Sequence, residues 1–125
     1  MALRKGPDKM GVDLKLLPLI GADYWAAHDM IEIERRRELW PAIEALPQAN
    51  IPKPLSCFLA RSEGGDHCYG EAETTPCGDR MKYTTAGDLL TLKDLPAVND
   101  HWRNKAVWAY LAQMPAQWPI VLYWH

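Results

Sequence analysis

Apolar positions along the chain change their spacing several times, and each change predicts an element. Residues 24–39, YWAAHDMIEIERRREL, follow Asp23, whose carboxylate suits a helix N-cap. Propensity and length predict a helix here. The stripe is imperfect: Met30, Ile33 and Trp40 share a broad arc with Trp25, whereas Ile31 points away from it and Arg36 intrudes on it. A different period in this segment is the main structural alternative. Pro41 kinks the helix or opens a new one in its first turn, and Trp40, Ile43 and Leu46 keep helical spacing up to Pro47.

The middle of the chain switches to short runs. NIPKP at 50–54 predicts an ordered connection. LSCFLA at 55–60 predicts a buried strand, and SEGGD at 62–66 a turn. Residues 68–75 predict a return strand weakened by Gly70, and 80–84 a third strand. Connections this short allow antiparallel pairing only, so these strands predict a small meander. Thr85 then caps a short helix through Asp88, Leu89 and Leu90. Asn99 or Asp100 caps the clearest helix, residues 101–114, with Val107, Leu111 and Met114 as its apolar line and Trp108 and Tyr110 widening it. Pro115 ends that helix. PIVLYW at 119–124 predicts a C-terminal strand with proline at its first position. It is too apolar to remain in solvent and must dock.

The order of helices, meander, helices and strand predicts an α+β class: a small antiparallel meander packed against helices, with a C-terminal strand. No repeat is present. The breaker-rich MALRKGPDKMG predicts a flexible segment over residues 1–11, with one globular α+β domain over 12–125.

Composition narrows the function classes. Apolar residues form 48% of the 125 and charged residues 24%, which suits a globular protein with an apolar core. A net charge of -2 disfavours a broadly basic nucleic-acid binder. Three cysteines do not make a disulfide scaffold. Leu14–Ile20 is interrupted by Lys15 and Pro18 and is too short for a bilayer span or a convincing leader. The reading is therefore cytoplasmic, with no membrane partner.

Three groups of residues invite chemistry. On the predicted first helix, His28 and Glu32 are four apart, and Asp29 neighbours Glu32. Imidazole and carboxylate so placed can share a divalent metal or position a general base, although an exposed, locally paired helix face explains them more simply. The second histidine of a zincin is missing. In the meander, Cys57, Asp66, His67, Cys68 and Cys77 offer zinc-ligating atoms, but ten residues separate Cys57 from Cys68 and eight separate Cys68 from Cys77. No knuckle-type pair exists. His67 and Cys68 are adjacent and point to opposite faces of a strand, which argues against a nucleophile with its base unless a bulge intervenes. His101 offers a base from elsewhere in the chain. SEGGD lacks any phosphate-loop fingerprint.

The third group is aromatic and cationic. Six tryptophans are many for this length, and most serve the core. Arg35, Arg36 and Arg37 lie between Glu34 and Glu38, which cancel most of the local field. The leading reading is a small interaction or regulatory module that recognises a protein partner or a second copy. Its surface combines Arg35, Arg36 and Arg37 with an exposed tryptophan, Trp40 or Trp102. It uses no cofactor. The rival reading is a metal-dependent hydrolase of a phosphate ester. Its catalytic candidates are His28, Asp29, Glu32, Asp66 and His67, and its metal candidates are His28, Glu32, His67 and Cys68. A structural assembly subunit joined through its terminal strand is the third.

Overall fold

The computed structural model describes residues 11–61 and 67–125, with side chains for all of these except 58–61 and 67–69. In chain order its elements are β1 (Leu14–Pro18), β2 (Ala26–Ala27), β3 (Ile31–Glu32), α1 (Leu39–Glu44), β4 (Ala49–Asn50), β5 (Leu55–Arg61), β6 (His67–Ala72), β7 (Lys82–Thr85), α2 (Ala86–Leu90), α3 (Pro96–Asn99), α4 (Trp102–Leu111) and β8 (Pro119–Trp124). The α+β class and the terminal strand expected from the sequence are both present.

Side-chain alternation along β1 and β8 sets the layers. Leu14 and Leu16 on β1, with Ile120, Leu122 and Trp124 on β8, face the helices and pack on Leu39, Ile43, Leu89, Val107, Trp108 and Leu111. Leu17 and Val121 face the other way, onto Ala27, Ile51, Leu55, Cys57 and Met81. The larger sheet, ordered β3-β1-β8-β7-β4, is antiparallel throughout and lies between the helices and a second sheet ordered β2-β5-β6. A strand covered on both faces reads as an unbroken apolar run, which is why PIVLYW shows no polar alternation.

Strands form near all three places expected, but not as one three-stranded meander, because the third joins the other sheet. β5 and β6 pair as an antiparallel hairpin, with β2 parallel to β5 on its other side. After a turn in which Gly78 takes a φ of 96°, β7 pairs with β8 and β4 in the larger sheet. Glycine suits that turn because a Cβ disfavours positive φ.

The helix expected over 24–39 is not formed. β2 and β3 occupy part of it, and α1 begins at Leu39. Met30 packs on the small-sheet side, whereas Ile31 and Ile33 pack with the helices. That is a period of two, and burying both sides of the segment outweighs its helix propensity. Ile31 pairs with Leu16 and Glu32 with Lys15, so the segment closes one edge of the larger sheet. Pro41 sits in the first turn of α1, as the sequence implies.

Capping is partly as expected. Thr85 Oγ1 accepts from the Asp88 amide at 3.1 Å and starts α2. The cap of α4 is instead His101, whose Nδ1 accepts from the Arg103 amide at 3.1 Å. Asn99 and Asp100 are used at the end of α3. Three indoles each donate to a backbone carbonyl: Trp40 to Val12, Trp108 to Leu89 and Trp118 to Leu19. These bonds allow large rings into the interior without leaving an N–H unpaired. No described helix is long and apolar enough to cross a membrane.

Candidate interaction surface

The segment after β3 runs beside the start of α4, and a buried asparagine holds the two together. Asn104 is fully buried. Its Oδ1 accepts from the Glu34 amide at 2.7 Å, while its Nδ2 donates to the carbonyls of Glu34 at 3.0 Å and Ala97 at 3.2 Å. One amide side chain therefore serves three backbone groups.

Charged side chains surround this clamp. Arg36 lies 3.6 Å from Asp100 and 4.0 Å from Glu34, and His101 Nε2 is 3.8 Å from Glu34. With Nδ1 accepting at the helix cap, a neutral His101 carries its proton on Nε2, toward Glu34. Glu32 reaches Lys15 at 3.5 Å and Arg103 at 3.6 Å, and Arg35 meets Asp13 at 2.9 Å. Each such exposed pair contributes under about 1 kcal/mol. Together they fix which charges face outward.

Trp102 stands at this junction with 70% of its surface exposed. The His101 ring stacks beside it at 5.7 Å, and the Arg103 guanidinium lies 5.6 Å from the centroid of its ring. The exposed side of α4 continues with Ala106, Ala109 and Tyr110. Arg36, itself half-buried, thus pairs with Asp100, two residues before Trp102 in the chain. Arg35 and Arg37 are exposed.

Trp40 does not belong to this surface. It is 4% exposed and packs edge-on against Trp124 at 5.6 Å. Its helical spacing with Ile43, on the apolar side of α1, is the sequence signal for that burial.

The catalytic and metal candidates fare differently. His28 and Asp29 lie exposed between β2 and β3, and Glu32 lies on β3. Without the helix, the four-residue spacing of His28 and Glu32 no longer places them on one face, and the Glu32 carboxylate is engaged by two cations. His67 and Cys68 lie on β6, where their side chains are outside the described residues, as is all of Asp66. Among the described residues, no three side chains of His, Cys, Asp or Glu gather as a metal site would require. Cys57 is buried, with its Sγ 3.7 Å from the Leu55 carbonyl, and Cys77 is exposed.

No family model, no curated protein and no solved structure matches the chain. The surface is accordingly read from its own chemistry.

Sequence reasoning missed one polar contact across the sheet. Lys15 Nζ donates to His125 Nε2 at 3.0 Å, and His125 stacks on Tyr123. Burial holds the His125 imidazole below its usual 6.5, and the Lys15 ammonium adds to that depression, while Asp13 and Glu32 oppose it. The neutral ring is thus favoured in the folded chain. Its contribution to stability is complete above the unfolded value and is lost as pH falls through the lower folded value, because the unfolded chain takes up the proton first. An NMR titration is expected to give a His125 midpoint below 6.5, raised part of the way by Lys15→Met. An unchanged midpoint in that variant would remove Lys15 as a cause.

Proposed function

We propose that this chain is a small protein-interaction module, working in the cytoplasm, whose contact surface is Trp102 with Arg36 beside it. The observation that carries the reading is Trp102, 70% exposed at the point where Arg36 reaches Asp100, two residues earlier in the chain. With Ala106, Ala109 and Tyr110, Trp102 belongs to one exposed apolar side of α4, and contiguous apolar patches mark interaction sites. Tryptophan and arginine are also the side chains that most often dominate binding energy, because a flat ring and a planar donor fork give much contact for little lost freedom. The surrounding acids supply selectivity: a partner presenting carboxylates at the wrong place meets Glu34 or Asp100.

The test is site-specific photo-crosslinking. A photoreactive residue at Lys105, on α4, is expected to give a discrete adduct, and one at Lys53, exposed between β4 and β5, is not. Trp102→Ala is expected to lower the adduct at least about tenfold, as loss of a hot spot of about 2 kcal/mol would. Equal labelling from both positions, or indifference to the tryptophan, would defeat the reading.

A further inference from the structure

We infer that the partner of the α4 surface is a second copy of this chain, bound through antiparallel pairing of the two α4 helices. This inference rests on the interaction reading above and names its occupant. Trp102, Ala106 and Tyr110 follow one another at four-residue steps and form one exposed stripe of α4, opposite the buried Asn104, Val107, Trp108 and Leu111. Large rings sit at both ends of the stripe and a methyl group sits at its centre. Reversed end for end, the stripe reads almost the same. A two-fold contact requires that property, since one patch must meet itself.

The flanks fit as well. Helical spacing puts Ala109 on the same flank as Trp102, and Arg103 on the same flank as Tyr110. A two-fold axis at Ala106, perpendicular to both helices, lays each flank against the same flank of the other copy. Trp102 then covers the partner's Ala109, and Arg103 comes beside the partner's Tyr110 ring in a cation–π arrangement. Ala106 against the partner's Ala106 lets the helix axes approach to about 8 Å, the close end of helix packing. Lys105 projects well away from the stripe, so the two lysines do not meet across it.

The area fits a weak dimer. The exposed parts of Trp102 and Tyr110 amount to roughly 250 Å² per copy on the usual size of these rings. With the two alanines and the stem of Arg103, the buried total reaches roughly 1,000 Å², the lower edge for a specific interface.

Sedimentation equilibrium of the full chain, from about 10 μM to about 1 mM, reads this directly. The average mass is expected to rise from 14.2 kDa toward twice that value. Ala106→Glu sets two carboxylates face to face at the axis, and Ala109→Glu sets one under Trp102. Both positions are exposed, so each variant is expected to melt as the parent does while its self-association falls at least about tenfold. Lys105→Ala is expected to dimerise as the parent does. A mass of 14.2 kDa at every concentration, or undiminished dimers in both glutamate variants, overturns the inference. A chain that stays monomeric yet still gives a Trp102-dependent adduct with another protein overturns only the self-pairing. Loss of both results overturns the interaction reading too.

Discussion

A chain ending at Trp118 is expected to show no cooperative melting transition. β8 is the middle strand of the larger sheet, paired with β1 through Leu14–Pro18 and with β7 through Lys82–Thr85. Its removal leaves two facing rows of backbone groups without partners, both in the interior. It also removes Ile120 and Val121, each at 0% exposure, from the two separate apolar clusters. A milder version keeps the test informative if the truncated chain fails to accumulate. Leu122→Ala empties a site that is 1% exposed and is expected to cost about 3–5 kcal/mol, read as a lower midpoint in denaturant with an unchanged slope. A truncated chain that still melted sharply would mean that the helical layer folds without its sheet.

How much of this was legible in the sequence depends on whether local and long-range demands agree. At PIVLYW they agree: proline opens the strand, β-branched and aromatic residues fill it, and the segment forms over the bounds its composition marks. At Thr85 they agree as well, since the cap satisfies an amide three residues away and needs no tertiary partner. At residues 24–39 they conflict. Glutamates, alanines and arginines favour a helix, while Met30, Ile31 and Ile33 are wanted on two different sides. Leu14–Pro18 carried the opposite difficulty, because a short apolar run does not announce whether it is a strand, and its place between β3 and β8 depends on residues more than a hundred positions away. The site divides in the same way. Arg36 and Trp102 were visible as residue types, but the tie between Glu34 and α4 is made by Asn104, which sits on the buried side of α4 where an apolar residue is expected.

That asparagine carries the second large effect. Asn104→Leu is expected to cost about 3 kcal/mol or more, because the Glu34 amide and the carbonyls of Glu34 and Ala97 all lose their partner while remaining shielded. Asn104→Asp separates shape from hydrogen bonding. The volume is nearly unchanged, and one carboxylate oxygen can still accept from the Glu34 amide. The other oxygen now faces two carbonyls, where a donor stood, and a charge has been placed at a fully buried position. The introduced carboxyl is therefore expected to hold its proton to a higher pH in the folded chain than in the unfolded one. The sign follows: the deficit relative to the parent is largest above the raised folded value, shrinks as pH falls from there toward about 4, and levels off below that, where both states are protonated and the O–H can donate to one carbonyl. Denaturant midpoints of parent and variant across that range measure it. A deficit independent of pH would show that the missing amide donor, rather than a buried charge, is what position 104 resists. The same variant bears on the surface. Residues 34–36 are held against α4 through Glu34, so loosening the clamp at neutral pH is expected to weaken the Trp102-dependent contact even though neither Trp102 nor Arg36 has been touched.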